Sequence, residues 1–225
     1  MRNLEALWEG YKRIGEKGTI DLESLISIFQ QIKNTSGSIR SPQTLTVIQR
    51  GQSEFRSGEI TIYTPTRGSE VIERLMDNLL EYLNNDQLSD TDPLLKMCIA
   101  HYQFEAILPF SDGNGRTGRI LNLLYLVNKG LLNQPVSYLS KYIIAHKDNY
   151  YYNLGIVTQR GSWKPWILYM LDAVEKTSLL SNELINNILA HMEATLEYWK
   201  STIKWYNKEV NELLFSKPYQ IKINW

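Results

Sequence analysis

The residues best suited to chemistry lie together in the segment ILPFSDGNGRTGR, from Ile107 to Arg119. A glycine-rich turn that opens a helix offers unpaired N–H groups at the positive end of the helix dipole, and glycines let the backbone approach a ligand closely. Such a turn can bind an anion. Arg116 and Arg119 are spaced to lie on one helix face, where two guanidinium groups suit a polyphosphate. Asp112 is placed to hold Mg²⁺ on those phosphates.

Two common phosphate-binding motifs do not fit this segment. No lysine follows its glycines at the spacing of a Walker A loop, and no predicted strand precedes it. The βαβ context of a dinucleotide-binding fingerprint is also missing. A glycine-rich turn with surface arginines is the plainer interpretation of a lone G-x-G, but DGNGRTGR after an apolar helix is far more specific. The segment therefore predicts a polyphosphate site.

The position that precedes the turn has no side chain that could act as a general acid or base. Leu108 occupies that position, and a leucine side chain cannot accept a proton. His101 lies two helical turns upstream and is not expected to replace such a group, while His146 and His191 are too scattered to form a metal cluster. The single cysteine, Cys98, lies among apolar residues and is predicted to be buried packing.

The composition restricts the class of protein. The chain has 225 residues, a hydrophobic content of 43% and equal numbers of basic and acidic residues, 24 each. These values predict a folded core and give no electrostatic argument for nucleic acid or anionic membranes. A lone cysteine fits a reducing compartment, and no apolar run approaches the ~20 residues of a membrane span. We therefore expect a soluble, cytoplasmic protein that has no membrane partner.

Helical periodicity dominates the elements that must position the turn. Between the second and third helices, LTVIQRG and GEITIYTPT carry β-branched and aromatic residues and predict a hairpin. The predicted fold is mainly α, a helical bundle with one short β-hairpin. The helices are predicted over residues 3–13, 21–33, 69–84, 93–107, 115–129, 139–145, 147–157 and 165–206.

The turn resembles the signature of the Fic (Fido) family, His-Pro-Phe-x-Asp-Gly-Asn-Gly-Arg-x-x-Arg. HYQFEAI upstream, with LLNQPVSYLSKYIIAHKDNYYYNL and GSWKPWILYML downstream, is similar to the bacterial branch that carries a C-terminal winged helix. The resemblance implies the Fic fold, with a Fic domain over residues 1–180 and a C-terminal helical segment over residues 181–225 that starts a truncated winged-helix region. The matching residues are Pro109, Phe110, Asp112, Gly113, Asn114, Gly115, Arg116 and Arg119.

Fic proteins transfer AMP from ATP to a hydroxyl side chain of a target protein. The resemblance therefore implies ATP and Mg²⁺ as cofactors and a protein substrate with a Ser, Thr or Tyr hydroxyl, the chain itself included. Asp112 would hold the metal, and Phe110 would anchor the loop in the core. The implied ATP-binding residues are Gly113, Asn114, Gly115, Arg116, Thr117, Gly118, Arg119 and Tyr151.

The hairpin would be a flap that docks the target segment by strand addition, through Thr61, Ile62, Tyr63 and Thr64. A homodimer is a further expectation from relatives. DNA binding is not expected, because the chain stops where a winged helix would begin.

Leu108 departs from the family pattern, since it stands where the family has the histidine that takes the proton from the target hydroxyl. The expected protein is thus an adenylyltransferase that is inactive or strongly impaired as written. The sequence leaves open whether Leu108 is natural or an introduced replacement. We find no Ser/Thr-x-x-x-Glu inhibitory helix, so Arg119 is expected to be free for a γ-phosphate.

Three other interpretations remain. The chain could be a non-catalytic nucleotide-binding or interaction module on the same fold. A related transfer, such as phosphorylation, is disfavoured because kinase-like relatives have lysine where this chain has Gly115. A DNA-binding regulator is weakened by the neutral charge and the missing winged helix.

Overall fold

The computed structural model describes residues 2–41, 48–50, 60–63, 65, 68–137 and 139–216. The chain divides into two compact units, Met1–Thr177 and Ser178–Trp225. Helices dominate the described residues, as predicted. They are α1 (Arg2–Lys17), α2 (Leu22–Lys33), α3 (Ser69–Asn84), α4 (Pro93–Ile107), α5 (Asn114–Asn128), α6 (Leu139–Ala145), α7 (Lys147–Arg160), α8 (Trp163–Thr202) and α9 (Lys208–Ser216), with a 3₁₀ turn at Asp86–Leu88.

Two short strands, β1 (Ile48–Arg50) and β2 (Ile60–Tyr63), lie between α2 and α3. They pair antiparallel, with Ile48 opposite Tyr63 and Arg50 opposite Ile60. The segment that joins them lies outside the described residues. The pairing brings the two β-branched stretches of the sequence side by side.

Helices α4 and α5 form the centre of the first unit, with α1 and α2 packed against α5 and α3 against α4. Their close approach depends on Gly118. A Cβ atom at that position would lie 2.9 Å from Glu105 Oε1 and 3.0 Å from Phe104 Cδ1. Real Cβ atoms rarely come so close to another heavy atom, so a larger residue would force the buried side chains of Glu105 and Phe104 to shift.

The helix ends follow from local chemistry. Asp92 caps α4 by accepting a hydrogen bond from Leu94 N at 2.8 Å, and Pro93 occupies the first helical position, where its missing N–H is no loss. Helix α1 is predicted over residues 3–13, with its end near Gly15 and Gly18, and it runs on through Gly15 to Lys17. It ends before Gly18, which takes a left-handed φ of 72°.

The first part of α8 closes the core of the first unit. Its residue Trp166 is fully buried and donates from the indole Nε1 to Cys98 O at 2.8 Å. Cys98 is buried as well, and burial raises the pKa of its thiol to about 12. The prediction that Cys98 is a packing residue is therefore confirmed.

The second unit consists of the end of α8 and α9. Asn211 joins them, because its side-chain amide donates to Met192 O at 2.8 Å and accepts from Tyr206 OH at 2.9 Å. Among the described residues, none of the helices combines the length and apolarity that a membrane span requires.

Candidate functional site

The site begins where α4 ends, at Leu108. This residue has φ 47° and ψ 64°, in the left-handed region, and its N–H donates to Phe104 O at 3.0 Å. A non-glycine residue in this region costs about 1–3 kcal/mol and persists only when its surroundings hold it there. The backbone N–H of Arg40, which donates to Pro109 O at 2.8 Å, is one of the contacts that hold the loop.

The loop that follows is braced from inside. Phe110 is fully buried and stacks on Phe29 with ring centroids 4.2 Å apart, which confirms its predicted role as an anchor. The side chain of Asn114 accepts from Phe110 N at 2.9 Å and donates to Phe110 O at 2.7 Å. Asn114 therefore shapes the loop with both ends of its amide. Gly113 starts α5 with a left-handed φ of 79°.

A cavity of about 620 Å³ lies beside this loop, within the first unit. It brings together most of the predicted site residues, including Leu108, whose side chain is nonetheless only 4% exposed. The lining residues are Glu105, Leu108, Ser111, Asp112, Gly113, Asn114, Gly115, Arg116, Arg119, Ile143, Ile144, Lys147, Tyr150 and Tyr151.

Two residues predicted to bind ATP do not line the cavity. Thr117 is fully buried, and its hydroxyl donates to Gly113 O at 3.1 Å. Gly118 faces α4, as described above. Both residues pack inside the protein at the start of α5.

The predicted flap residues Thr61, Ile62 and Tyr63 lie on β2. This strand runs beside α7, the helix that carries Tyr151 into the cavity. Thr64 lies outside the described residues.

Asp112 is the acidic group at the edge of the cavity. Its Oδ1 accepts from Gly113 N at 2.6 Å, and its Oδ2 forms an ion pair with Lys33 Nζ. The hydrogen bond from Lys33 is the main cause of the lowered pKa of Asp112, so the carboxylate is ionised at neutral pH. Lys33 is 79 residues away in sequence, at the end of α2.

The residues present fit a Mg²⁺ ion that would be held by one carboxylate of the protein and mainly by the phosphates of a bound nucleotide. Within the described part of the chain, no group of three or more His, Cys, Asp or Glu side chains could hold a metal. Mg²⁺ is usually bound through one or two carboxylates together with phosphate oxygens and water. A single ionised carboxylate beside a phosphate site, Asp112, matches that donor set.

A buried carboxyl group faces the arginines from α4. Glu105 is 5% exposed, and its Oε1 has no hydrogen-bond partner in the structure. Burial raises the pKa of Glu105 to about 7, although the nearby charge of Arg119 acts in the opposite direction. Arg119 itself lines the cavity, and its Nε donates to Ser140 Oγ at 3.0 Å.

His101 lies in the protein interior, in agreement with the expectation that it does not replace the missing base. It is fully buried, and its Nε2 lies 3.0 Å from Tyr150 OH. Burial, assisted by the charge of Arg119, lowers the pKa of His101 to about 3. The imidazole is thus neutral at neutral pH and does not line the cavity.

Two charged groups of this site, Glu105 and Lys33, are absent from the sequence predictions. Glu105 had a local signal, since it is an acidic residue in the otherwise apolar end of α4, one turn before Leu108. Lys33 had no such signal, because only the packing of α2 against α5 brings it to the loop.

The segment that forms this site is similar to one known protein family, Fic/DOC. Residues 19–126, a range that includes the loop and most of α5, match the model of that family. This stretch, just under half of the chain, is similar to a Fic/DOC family domain.

Proteins with related sequences carry matching names. The chain is 32% identical over 108 residues to "Protein adenylyltransferase fic-1" of Caenorhabditis briggsae, an alignment that covers 48% of this chain and 20% of the relative. It is 31% identical over 126 residues to "Protein adenylyltransferase Fic" of Drosophila yakuba, covering 55% of this chain and 24% of the relative. The chain thus spans a fifth to a quarter of the length of these relatives.

Solved structures show the same fold. A Fic family protein from Desulfovibrio desulfuricans G20 superposes with a TM-score of 0.59 at 22% identity, over 82% of this chain and 53% of that one. Fic-1 from C. elegans (aa134 - 508) superposes with a TM-score of 0.57 at 18% identity, over 83% and 52% of the two chains.

Proposed function

We propose that this chain has the site of a protein adenylyltransferase, which transfers AMP from Mg-ATP to a hydroxyl side chain of a protein. One observation carries the proposal. A single cavity is lined by the start of α5, by the guanidinium groups of Arg116 and Arg119, and by the ionised Asp112. The names of the related adenylyltransferases support the same reaction.

The proposed roles follow from the chemistry of each group. The N–H groups at the start of α5 and the two guanidinium groups bind the phosphates. Asp112 holds Mg²⁺, which neutralises phosphate charge when it is bound. Tyr151, half-buried on α7, packs against the nucleoside.

The protein substrate would approach along β2. An extended segment of a target can add to a strand edge, and Thr61, Ile62 and Tyr63 would align its Ser, Thr or Tyr hydroxyl with the cavity. The target is a second protein or another copy of this chain.

We further propose that Leu108 keeps this site inactive or strongly impaired. Leu108 lines the cavity at the position where the resemblance places the base histidine. A general base contributes a factor of about 10²–10⁴ in rate, and leucine supplies none. The same observation favours an alternative function, because a complete phosphate site without its base is also what a nucleotide-binding module would contain.

The experiment compares three forms of the chain: the parent, Leu108→His, and Leu108→His combined with Arg116→Ala. Each is incubated with Mg²⁺ and ATP labelled at the α-phosphate, and protein-bound label is read on a denaturing gel. We expect label only on Leu108→His. The double variant should lose it, because removing charge-assisted hydrogen bonds costs about 1.5–3 kcal/mol each.

The outcomes separate the two functions. If Leu108→His stays unlabelled while both it and the parent bind Mg-ATP in a calorimeter, the site is a nucleotide-binding module. If neither form binds Mg-ATP, both functions are wrong. Label that survives Arg116→Ala would contradict the proposed phosphate role of that residue.

A further inference from the structure

Glu105 is an acid in a cavity otherwise suited to anions. The residue lines the cavity from α4, and its Oε1 has no hydrogen-bond partner in the structure. A Cβ atom at Gly115 would lie 3.8 Å from Glu105 Oε1 and 3.1 Å from Arg119 Nη1. The carboxyl group and one guanidinium group therefore both lie close to Gly115, at the start of α5.

The groups around Glu105 differ in charge from one element to the next. Helix α5 presents the cations Arg116 and Arg119, and α7 presents Lys147. The neutral phenols Tyr150 and Tyr151 also come from α7, and both interact electrostatically with Glu105. Two further groups complete the surroundings: His101, neutral and buried on α4, and Asp112, ionised in the loop.

In the free protein, Arg119 favours the ionised form of Glu105 and burial opposes it, which leaves the pKa near neutrality at about 7. A bound polyphosphate changes this balance in one direction. It brings several negative charges into the cavity, and like charges disfavour an ionised carboxyl group. It also engages the arginines, so their charge no longer acts on Glu105 alone.

We propose that Glu105 takes up one proton from solvent when a nucleotide polyphosphate enters this cavity, and that the neutral carboxyl group then donates a hydrogen bond to the ligand. An O–H bond forms on the carboxylate at the expense of a buffer acid, and no bond in the ligand breaks. This inference rests on the proposed nucleotide site and adds a binding residue to it.

Calorimetry tests the proton uptake directly. Mg-ATP is titrated into the parent chain at one pH in buffers of different ionisation enthalpy, and the dependence of the observed heat on the buffer gives the number of protons taken up. A group half ionised at pH 7 should take up about 0.5 proton there and about 0.9 at pH 8. The matched variant is Glu105→Gln, which keeps the shape but cannot titrate.

Two comparisons decide the result. Glu105→Gln should bind Mg-ATP, but it should lack the part of the proton uptake that Glu105 causes in the parent. Because Mg-ATP binding is coupled to proton uptake by Glu105, the Kd of the parent should rise several-fold per pH unit above about pH 7. This rise is measured relative to the Kd of Glu105→Gln at the same pH. Glu73→Gln on α3, an exposed glutamate outside the cavity, should behave as the parent.

Failure of the inference can be told apart from failure of the proposed function. If the parent binds Mg-ATP with the same proton uptake as Glu105→Gln, the inference is wrong and the nucleotide site stands. If the parent binds no Mg-ATP at either pH, the proposed function is wrong, and this inference with it.

Discussion

The guanidinium group of Arg40 holds the carbonyl group of Leu108 from inside the protein. Arg40 is 3% exposed, and its Nε donates to Leu108 O at 2.7 Å. A second donor, Nη2, reaches Ile107 O at 3.4 Å. These contacts satisfy buried carbonyl groups at the end of α4, where a helix has no partners of its own for them. They also hold Leu108 in its left-handed conformation.

Replacing Arg40 with methionine should therefore destabilise the fold. Leaving buried carbonyl groups without donors costs about 1–3 kcal/mol, which corresponds to several degrees in Tm for a protein of this size. Urea denaturation measures the loss. The matched control is Arg13→Met, which breaks a surface ion pair with Glu9 and should cost about 0.3–0.5 kcal/mol. Equal losses in the two variants would mean that Arg40 contributes no more than a surface arginine.

The sequence predicted the helices better than the contacts between them. The caps and periodicity that define α4 and α5 are local, so their bounds were predicted within one residue. Arg40 and Leu108 are 68 residues apart, and Lys33 and Asp112 are 79 apart. No local pattern encodes such pairs, because they form only when α2 and the segment after it pack on the loop.

The family signature also predicts residues that line the cavity, without separating them from residues that hold the loop. Arg116, Arg119 and Asp112 line the cavity, as the spacing indicated. Thr117 and Gly118 fall at the two unspecified positions between the arginines of the signature, and they lie on the face of α5 that is turned away from the cavity. A motif combines residues that bind a ligand with residues that hold the loop, and only the packing of α4 against α5 separates them.

Gly118 is expected to be a packing requirement. Gly118→Ala places a methyl group 2.9 Å from Glu105 Oε1 and 3.0 Å from Phe104 Cδ1. Overpacking of this kind costs about 1–3 kcal/mol, which outweighs the gain of about 0.5–1 kcal/mol that alanine has over glycine inside a helix. Gly15→Ala in α1 is the control, since nothing lies within 4 Å of a Cβ atom there. That variant should gain about 0.5–1 kcal/mol from helix propensity. Thermal unfolding of the two variants should therefore shift in opposite directions, and a stabilised Gly118→Ala would contradict the packing argument.

Asp112 is expected to make nucleotide binding depend on Mg²⁺. In the parent, ATP affinity should be higher with Mg²⁺ than with EDTA, because Asp112 would hold the ion and the ion would offset the charge of the phosphates. Asp112→Asn should lose most of this gain, since a neutral amide attracts the ion far less. Asp77→Asn, an exposed aspartate on α3, is the control and should keep it. Calorimetric Kd values in the two conditions measure the effect, and a full Mg²⁺ gain in Asp112→Asn would place the metal elsewhere.

Glu105 should also make the stability of the ligand-free protein depend on pH. Its folded pKa of about 7 lies above the ordinary value of 4.5, so between these values the folded state holds a proton that the unfolded state has released. Stability from this group is therefore fully present below about pH 4.5 and is lost as the pH rises through about 7. Glu105→Gln removes the cost of ionising the buried group. Its Tm relative to the parent should thus rise between pH 5 and pH 8, whereas the Tm difference of Glu73→Gln should stay nearly constant. A Tm difference for Glu105→Gln that does not change with pH would show that the carboxyl group is ionised without cost in the folded protein, and proton uptake on nucleotide binding would then lose its physical basis.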